Sequence, residues 1–185
     1  QYPIIEVLTA LIALWIFSLT GLTSDSIFLF ILIFSLLIIF MTDLNEFIIP
    51  NSITYIIAPL GLVITYFQIN PFNITIIDSL MGGIICGGIF FSISKFYLIV
   101  KKKEGLGMGD IKMISMLGFW LGIESTMLVI ISSSFIGSII GIALIVANKL
   151  KSDEYIPFGC FISAAAGVII YLQIQFNFNL YQLLN

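Results

Sequence analysis

Ile27-Phe28-Leu29-Phe30-Ile31-Leu32-Ile33-Phe34-Ser35-Leu36-Leu37-Ile38-Ile39-Phe40-Met41-Thr42-Asp43 is an apolar run that ends on an acid. A helix needs about 20 mostly apolar residues to cross a bilayer, and this run comes close before its first charge. A carboxylate at a bilayer boundary is costly to keep, so it marks function by default. Downstream lies Leu44-Asn45-Glu46-Phe47-Ile48-Ile49-Pro50-Asn51, a polar stretch closed by a proline that opens the next apolar run. A second acid has a similar setting: Gly105-Leu106-Gly107-Met108-Gly109-Asp110-Ile111-Lys112 leads into another apolar segment. Two such acids raise the possibility of a paired-carboxylate site.

The whole chain repeats this pattern. Its 185 residues are 60% hydrophobic and 9% charged, with mean hydropathy +1.18. Soluble domains carry roughly 25% charged residues, so a polytopic membrane protein is expected. Seven segments approach spanning length: 4–22, 27–43, 53–69, 76–100, 111–123, 125–147 and 156–175. Only Gly122, Glu124 and Ser125 separate the fifth and sixth. Those two read either as one bent helix or as two spans, and their combined length favours two. The expected fold is all-α, a membrane helix bundle of about seven transmembrane helices, with residues 1–185 forming one domain. The abrupt start at Gln1-Tyr2-Pro3, without methionine or a signal-like charged region, predicts processing or truncation there.

All seven basic residues are lysines: Lys95, Lys101, Lys102, Lys103, Lys112, Lys149 and Lys151. Alternating the seven spans puts them all on or near one side, the cytoplasmic one by the positive-inside rule. The Ser24, Asn70, Glu124 and Asn177 regions then face outward. Asp43, closing the second span, and Asp110, opening the fifth, come to the same side at similar depth. A bundle can bring them together.

The chain contains no histidine, which excludes a Ser-His protease, a histidine-ligated metalloprotease and an imidazole proton relay. Cys86 and Cys160 are too few for a disulfide framework or zinc site and read as buried structural thiols. Gly83 with Gly87, Gly137 with Gly141, and Ser163 with Gly167 have the spacing of close helix contacts. Glu6, Asp25, Asp78, Glu124, Asp153 and Glu154 fall at segment ends, where solvated caps explain them. Lys101-Lys102-Lys103 reads as a topology signal and a contact for anionic lipid. Asn51 and Ser52 can cap the helix after Pro50. Glycines at 105, 107 and 109 permit positive φ or the close approach of an extended peptide. A Ser-Lys dyad from Ser115 and Lys112 has no support in the pattern.

Two carboxylates that share one proton are a complete hydrolytic device. Like charges a few ångströms apart cannot both ionise easily. The ionised member takes a proton from water as it attacks a carbonyl. The protonated member bonds the carbonyl oxygen and later supplies the leaving amine with a proton. Neither metal, thiol nor histidine is required.

At these residues the chain resembles the type IV prepilin peptidases, intramembrane aspartyl proteases of the GxGD type. Thr42-Asp43-Leu44 with Ile49-Pro50-Asn51 and Thr54 is similar to the family's first aspartate motif. Gly107-Met108-Gly109-Asp110-Ile111-Lys112, with Leu117-Gly118 and Trp120-Leu121-Gly122, is similar to the second. Ile156-Pro157-Phe158-Gly159 with Phe161 and Ala164-Ala165 is similar to the last, with Cys160 where proline is more usual. The resemblance implies that Asp43 and Asp110 are catalytic, with Gly107, Met108, Gly109, Lys112, Pro50 and Asn51 in the surrounding loops. It further implies cleavage of the basic leader from prepilins or pseudopilins of type IV pili or type II secretion. The cut would fall at the cytoplasmic edge of the inner membrane. Tyr2-Pro3-Ile4-Ile5-Glu6-Val7-Leu8-Thr9 is similar to the stretch that follows a cysteine-rich loop in longer members, a loop associated with N-methylation. The loop is not in these residues, so S-adenosylmethionine is expected as a cofactor only if the full-length protein has it. Peptide cleavage is expected to need no cofactor. The expected partners are prepilin or pseudopilin and the lipid bilayer, not nucleic acid. Two competing readings are a small transporter that uses the carboxylates for ion or proton coupling and a non-catalytic assembly factor. The carrier predicts acids near the midplane and an internal repeat, and neither is visible.

Overall fold

Residues 2–102, 105–147 and 156–176 are described in a computed structural model, and every regular element among them is a helix. Lys103, Lys149, Lys151, Asp153, Glu154 and Asn177 lie outside the described residues. Four helices are long and apolar enough to cross a membrane: Ser24–Glu46, Ile76–Lys101, Met108–Val146 and Phe158–Gln175. Two shorter apolar helices, Ile5–Thr20 and Asn51–Tyr66, accompany them. In chain order the elements are α1 (Tyr2–Thr20), α2 (Ser24–Glu46), α3 (Asn51–Tyr66), α4 (Ile76–Met81), α5 (Gly87–Lys101), α6 (Met108–Val146) and α7 (Phe158–Phe176).

The start of α2 is set by Thr23, which accepts from the Ser26 amide, while the Ser26 hydroxyl accepts from the Thr23 amide. These two bonds satisfy amides that a helix start leaves unpaired. Its end is Phe47, in the left-handed region at φ 56, whose N–H donates to Asp43 O at 3.0 Å. The helix therefore continues one turn beyond Asp43, where the apolar run alone suggested it would close. Asp43 becomes an interior residue of the last turn, while Asn45 and Glu46 are exposed.

A π-helical segment, Gly82–Cys86, joins α4 to α5. Its two adjacent glycines have no Cβ, and that lets its backbone lie on the backbone of α6. A Cβ at Gly82 would stand 2.5 Å from Gly118 O, and one at Gly118 would stand 2.5 Å from Gly83 N. The Ser115 hydroxyl donates to Gly83 O at 2.8 Å. The expected packing role of Gly83 and Gly87 holds, since they face Phe119 and Ser115. Gly137 and Gly141 likewise face Phe161 and Ile156. Gly167 does not follow: a Cβ there would meet nothing within 4 Å.

At its 39 residues, a straight α6 would run about 58 Å, nearly twice a bilayer's hydrocarbon core of about 30 Å. Instead it breaks at Gly122, whose φ 76 and ψ 179 suit only glycine. The break releases the carbonyls of the preceding turn, and polar side chains from the 65–79 region take them up. Ser79 Oγ donates to Phe119 O at 2.6 Å, and Asn70 Nδ2 donates to Trp120 O at 3.1 Å and Thr65 Oγ1 at 2.7 Å. The second arm turns back along α7. Ser125 Oγ accepts from Gln173 Nε2 near the far end of α7, and Gly141 lies against Ile156 just before its start. The first arm is the central pillar, with Met113, Ile114, Met116, Leu117, Trp120 and Leu121 almost wholly buried. An α-helix apolar on every side belongs inside a bundle, and this one packs against α3, α4, the π segment, α5 and α7. Trp120 Nε1 donates to Ile57 O at 2.7 Å, and the indole lies where a Cβ at Gly61 would be.

Candidate active site

Three chain segments that are distant in sequence meet at one end of the bundle: the end of α2, the start of α6 and the start of α7. Asp43 is only 5% exposed, and its Oδ2 accepts the Cys160 amide at 2.8 Å. That amide belongs to the first turn of α7, where amides have no helical acceptor and the helix dipole favours a negative charge. Asp110 sits in the first turn of α6, three residues after Gly107, which begins the helix at φ −62 and ψ 140. A carboxylate at this position turns back toward the helix start, and Asp110 Oδ2 lies 2.9 Å from where a Gly107 Cβ would be. Asp43 is buried and Asp110 half-buried, and Asp110 lies within range of the Asp43 charge.

Ile49 fits between the two aspartate motifs. A Cβ at Gly109 would stand 3.0 Å from Ile49 Cβ, and one at Gly159 would stand 2.8 Å from Ile49 Cδ1 and 2.9 Å from Asp43 Oδ2. Gly107, Gly109 and Gly159 are thus glycines because the acids and Ile49 fill their Cβ space. None of Gly105, Gly107 and Gly109 has a positive φ, so close approach and not backbone handedness explains the glycine-rich stretch.

The other expected site residues divide. Pro50 occupies the N-cap of α3, its carbonyl accepting from the Ile53 and Thr54 amides at 3.2 and 3.3 Å. Asn51 is therefore inside the helix and does not cap it, contrary to the expectation from sequence. Its Oδ1 instead accepts from Lys112 Nζ at 2.8 Å, and the same ammonium lies 4.9 Å over the Tyr55 ring. Lys112 and Ser115 are engaged with different partners, so no Ser-Lys dyad forms. Met108, two positions before Asp110, is 45% exposed. Lys112→Met removes an exposed hydrogen bond and a cation–π contact between α3 and α6. We expect a loss of about 0.5–1 kcal/mol, read as a small fall in the thermal unfolding midpoint in detergent, partly restored by Lys112→Arg.

Cys86 and Cys160 are buried free thiols, as expected. What the sequence reading missed is that Cys160 and Gly159 touch Asp43. The available signal was the proximity of both to the Ile156-Pro157 turn at the start of an apolar segment. Gly82 and Gly118 were also missed, because they pair across helices and leave no spacing within one. Asp25, Asp78 and Glu124 gather at the opposite end around an open cavity of about 410 Å³, far from the aspartate pair. Asp25 accepts from the Ser24 hydroxyl and Asp78 from the Thr75 hydroxyl, in keeping with helix-start acids. Among the described residues no three histidine, cysteine, aspartate or glutamate side chains come together as a metal site.

The sequence pattern of the type IV leader peptidase family matches residues 30–142, which contain both aspartates. The chain belongs to this family. It is 28% identical over 170 residues to proteins named prepilin leader peptidase/N-methyltransferase from Stutzerimonas stutzeri and Pseudomonas aeruginosa. A protein of the same name from Aeromonas hydrophila is 26% identical over 170 residues. Each of these matches takes in 92% of this chain but 58% of the relative, so the chain spans under three-fifths of their length. The chain matches no solved structure.

Proposed function

We propose that this chain is a membrane-embedded aspartic endopeptidase that processes prepilins, with Asp43 and Asp110 as its catalytic pair. The observation that carries the reading is the convergence of two carboxylates from motifs 67 positions apart, within a family of leader peptidases. The ionised member takes a proton from water as that water attacks the scissile carbonyl. Its partner donates a hydrogen bond to the carbonyl oxygen, then protonates the departing amine. Asp43, held by an amide at a helix start, suits the first part, and Asp110 suits the second. The substrate would be a prepilin or pseudopilin whose basic leader meets an apolar helix at the membrane edge. We place the site at the cytoplasmic face of the inner membrane, with Lys95, Lys101, Lys102 and Lys112 toward the same side.

On this reading the chain crosses the bilayer seven times, by α1, α2, α3, the 76–101 helix, the two arms of α6, and α7. The test is incubation of the purified, lipid-reconstituted protein with a prepilin, reading leader release by a mobility shift and by the mass of the product. Cleavage at a single bond between leader and apolar helix is expected, at a rate unchanged by a metal chelator. An intact prepilin, or a rate lost with the chelator, would overturn the aspartic mechanism.

A further inference from the structure

The connector between α2 and α3 is anchored to both aspartate helices, and its one buried side chain, Ile49, lies between them. At its start the Phe47 N–H donates to Asp43 O at 3.0 Å. Just past its end Asn51 Oδ1 accepts at 2.8 Å from Lys112 Nζ, two positions after Asp110. Ile49 stands before Pro50, which confines it to an extended backbone. Neighbouring side chains on extended backbone point opposite ways, and Ile48 is 58% exposed while Ile49 is 9% exposed. The Ile49 side chain crowds the place a Cβ would take at Gly109, beside Asp110. Its Cδ1 also reaches the place a Cβ would take at Gly159, which Asp43 Oδ2 borders from the other side. One stiff β-branched side chain thus touches the turn that carries Asp110 and the turn that holds Asp43.

We propose that Ile49 is a positioning residue for the reaction, a spacer that sets the separation of the Asp43 and Asp110 carboxylates. This inference rests on the peptidase reading above. Two acids that share a proton and a water work at one separation: closer, no water fits between them; farther, the proton no longer passes. The acids stand on different helices, so their distance is set by what packs between those helix ends. A side chain packed on glycine backbone sets it by contact, since neither surface has a side chain that can rotate away. Ile49 has no titratable atom, so its part is spacing alone.

The test is a size series at position 49 in the reconstituted protein, with a prepilin as substrate and kcat and KM read separately. Ile49→Ala is expected to lose about 100-fold in kcat with KM held, the scale of a misplacement of about 1 Å at the reacting groups. Ile49→Val should lose a few-fold, and Ile49→Leu, with the same number of carbons, should keep most of the rate. Ile64→Ala is the control, a buried isoleucine near the opposite end of α3, expected to lower the unfolding midpoint comparably while leaving kcat unchanged. Should Ile49→Ala fail to accumulate, the comparison of Ile49→Val with Ile64→Val decides in the same way. Equal losses of kcat at positions 49 and 64, an unchanged kcat at position 49, or a change confined to KM would overturn the spacer while leaving the peptidase reading intact. Absence of cleavage by the wild-type protein would overturn both.

Discussion

Asp43→Asn or Asp110→Asn, made singly, is expected to lower the rate of prepilin cleavage by roughly 10³-fold or more, because on the proposed mechanism each removes a group that accepts or gives a proton in the transition state. Asparagine keeps the shape of aspartate, and its side-chain oxygen can still accept the Cys160 amide, so the fold has little reason to change. The variants are expected to accumulate in membranes at wild-type levels and to unfold at similar temperatures. A second expectation separates a working pair from two independent acids: the double variant should be no worse than the more damaged single one. Cleavage retained in either single variant would remove the dyad, and losses that multiply would show that the acids act separately.

Gly118→Ala should have the largest effect on stability. Its new methyl group would overlap the Gly82 backbone, and main chain cannot rotate aside as a side chain can. The first arm of α6 would have to part from the π segment, a strain of about 1–3 kcal/mol or more for an overpacked core position. Lower accumulation in the membrane and a lower unfolding midpoint are expected. Gly88→Ala is the contrast, since a Cβ there meets nothing within 4 Å and alanine is the better helix former by about 1 kcal/mol. An equal loss at both positions would mean that helix propensity, and not the backbone contact, sets the outcome.

Both aspartates were legible in the sequence because a charge at the edge of a long apolar run is rare and expensive. The break in α6 was visible as well: Gly122 stood out in an apolar stretch too long for one crossing. The manner of the turn was not visible, since it depends on Asn70 and Ser79 reaching carbonyls some 40 to 50 positions away. The contact of Cys160 with Asp43 was not visible for a related reason. Its contribution comes from the main chain, and a backbone amide carries no signature in residue identity. Asn51 misled the capping argument because Pro50 starts the helix one position earlier, freeing the amide side chain for Lys112. Close glycine contacts were legible where both partners lay on one helix face, and invisible where Gly82 met Gly118.

On the proposed topology the turn at Gly122 also sets how deep the aspartate pair lies. The arm from Met108 to Leu121 is fourteen residues, or about 21 Å, against a hydrocarbon core of about 30 Å. On the proposed topology, with Gly122 at one membrane surface, the arm stops about 9 Å short of the other, and Asp110, two residues further in, lies about 12 Å from it. The arm works as a ruler read from its far end. Each residue added or removed between Asp110 and Gly122 would move the site by about 1.5 Å along the membrane normal, and with it the bond of a threaded peptide that comes level with the acids.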